Sequence, residues 1–177
     1  AFRIAADFKL VAQMGLRETG ILTSASDYHI FLKLRKTRGE ALQSYLDIAK
    51  AALDTGVLPR CHFEDVTRAD FEGFILPFAI ELMKLSQQYK TPVKIRLCDT
   101  LGFGVTYPQT ALPRSIPKMI HAMRSVGVPA EWLEWHGHND LHKVQINGAT
   151  AWLYGCCAAN SAIFGVGERP GNPPLEG

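Results

Sequence analysis

Glu131-Trp132-Leu133-Glu134-Trp135-His136-Gly137-His138-Asn139-Asp140 is an apolar strand pattern that runs without a break into two imidazoles and a carboxylate. Residues two apart in a strand project from the same face, so His136 and His138 stand side by side. Two imidazoles converging at a strand end suit a divalent cation. The same two residues also admit a plainer reading, with one histidine in the core and the other capping a loop. The pattern of an apolar strand ending in reactive side chains recurs along the chain: His62 with Glu64, Asp99 with Thr100, and Glu168 to Asn172. Contributions from the carboxyl ends of successive strands build the site of a (β/α)8 barrel. An open doubly wound sheet concentrates its site at one switch point instead. The fold class is therefore α/β, a TIM barrel.

Working outward, strands and helices alternate. Arg3 to Met14 reads as a helix tail with Ile4, Phe8, Leu10 and Val11 on its apolar side. Strands are expected at Leu16–Thr23, Val57–Val66, Pro92–Cys98, Glu131–Trp135 and Ala158–Phe164. Helices are expected from Gly39, where Leu42, Tyr45, Leu46, Ala49 and Leu53 recur at helical spacing, and at Phe71–Tyr89, Ile116–Val126 and Lys143–Tyr154. Thr55-Gly56 supplies a helix stop. Short apolar strands separated by amphipathic helices make a parallel sheet covered by helices. A complete barrel takes about 250 residues, so residues 1–177 read as the later part of a single catalytic barrel domain, truncated at both ends.

Composition excludes several classes. Of 177 residues, 47% are hydrophobic and 20% charged, and the formal net charge is +2. That charge is too small to argue for nucleic acid or an anionic membrane. The densest basic cluster, Lys33, Arg35, Lys36 and Arg38, reads as a solvated loop before a helix. No apolar run approaches the roughly 20 residues of a membrane span. Cys61, Cys98, Cys156 and Cys157 show no CxxC spacing and read as free thiols in a reducing cytoplasm. Trp132, Trp135, Trp152 and Tyr154 read as core or helix–sheet packing.

A second motif, Gly165-Val-Gly-Glu-Arg-Pro-Gly-Asn172, follows the last strand. Its glycines do not fit GxGxxG, which excludes a dinucleotide site. Two further stretches join it: Arg60-Cys-His-Phe-Glu-Asp-Val-Thr-Arg68 and Leu97-Cys-Asp-Thr-Leu-Gly102. With HxHND and GERxGN at this separation, the chain resembles the acyl-CoA-dependent 2-oxo acid condensing enzymes: isopropylmalate synthase, homocitrate synthase and Re-type citrate synthase. The segment Thr23-Ser-Ala-Ser-Asp-Tyr-His29, continuing to Leu34, is most similar to the Re-citrate synthase branch.

The resemblance implies that the five strands are the fourth to the eighth of the barrel. It implies an acyltransferase that condenses acetyl-CoA with a 2-oxo acid, oxaloacetate foremost, with homocitrate and isopropylmalate synthases as alternatives. It places His136, His138 and Asn172 on a divalent cation (Mn²⁺, Mg²⁺, Co²⁺ or Zn²⁺). A further ligand, an Asp after a functional Arg at the end of the first barrel strand, has no counterpart in this sequence, which leaves an inactive fragment as another alternative. Arg60 matches an oxo-acid-binding arginine, Thr100 a threonine that bonds the oxo-acid carboxylate, and Glu64 a pocket carboxylate that is a candidate base. By strand period His62 lines the same pocket, while Asp65 and Arg68 form a structural pair. A homodimer is implied as well. An aldol-type acyl-CoA lyase on the same barrel carries a catalytic cysteine in the loop corresponding to Gly165–Asn172, where this sequence has none.

Overall fold

Alternation in the strands decides which residues meet the helices. The computed structural model describes residues 4–177, with side chains from Asp7 onward, so Arg3 and the Ile4 side chain lie outside it. Five strands, β1 (Glu18–Ser24), β2 (Leu58–Glu64), β3 (Lys94–Asp99), β4 (Leu133–Gly137) and β5 (Ala158–Ala159), form one sheet in the order β1-β2-β3-β4-β5. All four pairings are parallel. Helices α1 (Ile4–Gln13), α2 (Arg38–Asp54), α3 (Leu76–Tyr89), α4 (Ile116–Ser125) and α5 (Val144–Leu153) alternate with them. Among the described residues no helix is long and apolar enough to cross a membrane.

Cys61 and Phe63 on β2, Ile95 and Leu97 on β3, and Leu133 and Trp135 on β4 are fully buried beneath the helices. They pack against Tyr45 and Ala49 of α2, Phe78 and Leu82 of α3, and Met119, Ile120 and Met123 of α4. Phe63 stacks on Phe78 at 4.7 Å between ring centroids. The residues between them, Arg60, His62 and Glu64 on β2 and Arg96 on β3, face the other way. In register, Ser24 pairs with Glu64, Glu64 with Cys98 and Cys98 with His136.

Local chemistry sets the helix ends. Thr37 and Glu40 form a reciprocal capping box at the start of α2, satisfying two donors that would otherwise lack partners. Ser115 caps α4, and the α2 stop at Thr55-Gly56 is present as expected.

Several expectations change. Phe71–Tyr89 is a π-helical turn, Phe71–Ile75, followed by α3, because Pro77 is accommodated only in the first helical turn, where its missing N–H is no loss. The last strand is two residues rather than seven: Ala162 bonds to Pro173 and Leu175 instead of continuing along β4. Arg38 is no solvated loop residue, since it bridges Asp27 and Asp70. Leu10, Trp152 and Tyr154 are exposed, whereas Trp135 is core. The four cysteines are free, and Cys157 alone among them is exposed.

Phe63→Ala should lose about 3–5 kcal/mol and Thr37→Ala about 1 kcal/mol in urea unfolding followed by tryptophan fluorescence. Equal losses from the two would contradict a core centred on the Phe63–Phe78 stack.

Candidate active site at the strand ends

β4 delivers His136 from its inward face, and the residues just past its end deliver His138. Their Nε2 atoms lie 3.2 Å apart, with the rings crossed at 85°. The Nδ1 of His138 lies 2.9 Å from the Thr100 carbonyl oxygen. A carbonyl only accepts, so that nitrogen carries a proton and Nε2 is the nitrogen turned toward His136. Burial, then the neighbouring His138 and Arg96, pull the His136 imidazole down to about 4, so it is neutral at physiological pH.

Two nitrogens bound to one cation at about 2.0–2.1 Å each, with a 90–110° angle between them, stand about 2.9–3.4 Å apart. The observed separation fits that spacing. Among the described residues no cluster of three or more His, Cys, Asp or Glu side chains surrounds one point.

Asn172 and Glu168 come from the loop after β5. Asn172 Nδ2 donates to the Gly137 carbonyl, between the two histidines, at 3.2 Å. Asn139 N–H donates to the Gly171 carbonyl at 2.9 Å, and Arg169 pairs with Asp140, so the second motif docks on the first. Gly171 has φ +123°, a conformation side chains rarely adopt. At Gly167 a Cβ would lie 1.8 Å from Asn172 Oδ1, so only glycine leaves room for that amide. Glu168 Oε2 lies 3.7 Å from His138 Nε2, with a largely exposed side chain.

A cavity of about 400 Å³ opens beside the pair, lined by Leu22, His62, Glu64, Cys98, Thr100 and Glu168 among others. Thr100 Oγ1 accepts from Asp65 N–H at 2.8 Å, which leaves its own proton free to donate into the cavity. Asp65 is wholly buried and pairs with Arg68, as expected. Burial, then Arg96 and Arg60, lower the His62 imidazole to about 4, so it too is neutral. Its Nε2 is buried without a partner, and Gly20 opposite leaves its ring space.

Arg60 is not brought to the cavity. Its guanidinium is held by Glu18 and Glu134, one layer below His62. Arg96 takes the other oxygen of Glu134 at 2.6 Å, and Lys94 bonds Glu18 at 2.7 Å. Asp99 faces the helices rather than the cavity, accepting from Thr67, Phe103 N–H and Gly104 N–H. Burial raises its carboxyl above the usual range.

Sequence reasoning passed over Ser24, His29 and Lys33, which surround Glu64, and Asn160, whose side chain acts on His136. Alternation from Leu22 would have pointed Ser24 inward. No pattern signals that His29 reaches Glu64.

Comparison with known proteins resolves the lineage. The family model described as HMGL-like matches residues 3–177. The chain belongs to the HMGL-like family. It is 63% identical over 172 residues to the Citrate (Re)-synthase of Syntrophus aciditrophicus (strain SB), covering 97% of this chain and 27% of that protein. It is 56% identical over 171 residues to the Citrate (Re)-synthase of Clostridium kluyveri, covering 96% of this chain and 38% of that one. The chain thus spans well under half the length of these curated relatives. The solved hydroxymethylglutaryl-CoA lyase from Pseudomonas aeruginosa superposes with a TM-score of 0.74 at 23% identity, over 96% of this chain and 56% of that one. That likeness concerns the fold. This HMGL-like chain therefore carries a five-stranded part of a TIM barrel, as the strand-end pattern implies.

Nitrogen-15 NMR of the histidines should show His138 protonated at Nδ1. A bare Nδ1 would contradict the Thr100 carbonyl bond.

Proposed function

We propose that the complete protein bearing this chain condenses acetyl-CoA with a 2-oxo acid and hydrolyses the thioester, oxaloacetate being the favoured acceptor and citrate the product. The observation that carries this reading is the grouping of the His136 and His138 imidazoles, the Thr100 hydroxyl and the Glu64 carboxylate on one cavity, in a chain 63% identical to a Citrate (Re)-synthase.

His136 and His138, with the Asn172 amide, would hold a divalent cation (Mn²⁺, Mg²⁺, Co²⁺ or Zn²⁺), the mixed nitrogen and oxygen donor set these metals accept. Such a cation supplies Lewis acidity toward the ketone and carboxylate oxygens of the oxo acid. Thr100, already an acceptor from Asp65, donates its proton to the oxo-acid carboxylate. His62, neutral and unpartnered, is the second side chain positioned to bind the substrate. Glu64 is the base that takes a proton from the acetyl methyl group, so that this carbon attacks the ketone carbon; water then displaces the CoA thiol.

The charges beneath the cavity favour a dicarboxylate. Arg60, Lys94 and Arg96 face Glu18 and Glu134, three cations against two anions, leaving one net positive charge below His62. Arg60 thus acts through the field of the floor rather than by touching substrate. A second carboxylate gains from that field, whereas a branched apolar side chain does not. We place the enzyme in the cytoplasm and read it as a homodimer.

Thiol release by the complete protein with acetyl-CoA and Mn²⁺ should be fastest with oxaloacetate and fall about 100-fold or more in His136→Ala. Faster release with 2-oxoglutarate or 2-oxoisovalerate would overturn the acceptor. No release with any oxo acid would overturn the condensation.

A further inference from the structure

We infer that Ser24 is a positioning residue for Glu64: its hydroxyl holds Oε2 of the carboxylate and so presents Oε1 to the acetyl methyl group. The inference rests on the condensation reading of the same cavity and gives a role to a residue that lies outside the motifs of that site.

A glutamate carboxylate turns with little resistance about its last bond, so a base of this kind needs a partner that sets its plane. Among the described residues, Ser24 and Lys33 donate to Glu64. Ser24 Oγ donates to Oε2 at 2.5 Å. Lys33 Nζ, from the π-helical turn Tyr28–Lys33, stands 3.4 Å from both oxygens. A donor equally far from the two oxygens does not choose between them, and the Lys33 side chain is 53% exposed. Lys33 therefore offsets the charge, while Ser24 sets the orientation. The His29 ring lies beside Oε2 without a hydrogen bond to it. Oε1 is thus the less engaged oxygen on a residue that lines the cavity of the imidazole pair. A proton leaving the acetyl methyl carbon passes to Oε1, and the C–H electron pair stays on that carbon.

The placement of Ser24 is built into the fold. It is the last residue of β1, it is buried, and it pairs in register with Glu64 on β2. The backbone is fastened on both sides of it. Thr23 Oγ1 donates to the His62 carbonyl at 2.8 Å, and Ala25 N–H donates to the Glu64 carbonyl at 2.9 Å. From α2, the buried Tyr45 hydroxyl donates to the Ser24 carbonyl at 3.0 Å. An ionised carboxylate only accepts, so the Ser24 hydroxyl is the donor. A short side chain on so constrained a backbone has little freedom, and the carboxylate it holds inherits that rigidity. Ser24 is therefore fixed by core packing on one side and bonded to the proposed base on the other.

Thr23 supplies the control, because its hydroxyl also ties β1 to β2 but ends on a backbone carbonyl rather than on the carboxylate. The complete protein is assayed for CoA release with oxaloacetate and acetyl-CoA, the latter ordinary or deuterated in its methyl group. Ser24→Ala should lower kcat about 10- to 100-fold and leave KM for the oxo acid within about threefold. It should also raise the deuterium isotope effect on kcat, because removal of the methyl proton becomes the slow step. Thr23→Val should keep kcat within about threefold of wild type and the isotope effect unchanged. A smaller folded fraction scales kcat without altering the isotope effect, so that effect reads the placement of the base and not stability. Unchanged kcat in Ser24→Ala, a loss with an unaltered isotope effect, or the same response in Thr23→Val would overturn the role of Ser24 and leave the condensation standing. A wild-type protein silent with every oxo acid would overturn the condensation reading beneath it as well.

Discussion

Strand parity governs this molecule. On β2, β3 and β4 every second residue is apolar and lies under the helices: Cys61 and Phe63, Ile95 and Leu97, Leu133 and Trp135. The residues between them, Arg60, His62 and Glu64, then Arg96 and Cys98, then Glu134 and His136, are committed to the inner face by the same geometry. A slip of one residue would carry Phe63 and Trp135 into the cavity and Glu64 and His136 into the core. Burying an unpaired carboxylate there costs several kcal/mol or neutralises it, so the register is strongly specified. The burial that holds the fold also aims the site.

The inner face is polar, and its charges are arranged in layers. Glu134 is shared by Arg60 and Arg96, and Glu18 by Arg60 and Lys94. Half-buried pairs of this kind are weak evidence for stability, because desolvation offsets their attraction. Their consequence lies one layer up. The guanidinium charges of Arg96 and Arg60, added to burial, hold His62 neutral, and burial with His138 and Arg96 does the same for His136. Neutral imidazoles offer a lone pair to a cation or a single N–H to a substrate. The floor thus prepares the chemistry of the residues above it without entering the cavity.

Motifs made of neighbours in the chain were readable in advance. HxHND and GERPGN are each contiguous in the chain, and the strand period alone directs His136, His62 and Glu64 inward. The alternation of elements announced the parallel sheet for the same reason. What escaped reading depends on distance along the chain. Arg60 meets Glu134 across 74 positions and Ser24 meets Glu64 across 40. Nothing local in Arg60 shows that its guanidinium is already occupied by carboxylates from two other strands. The reach of His29 depends on a π-helical turn, which no propensity or period predicts. The last strand was overestimated because Ala162, Ile163 and Phe164 are apolar enough for a strand, while the bonds from Ala162 to Pro173 and Leu175 divert the backbone.

Everything converges on the meeting point of His136 Nε2 and His138 Nε2, where the loop bearing Asn172 docks through Gly137 and Asn139. Pulsed electron paramagnetic resonance of Mn²⁺ added to the protein examines that point most directly. Couplings to two imidazole nitrogens are the expected result, with one of them lost in His138→Ala. Bound Mn²⁺ without nitrogen coupling, or a coupling pattern unaltered by that substitution, would show that the histidine pair does not hold the cation.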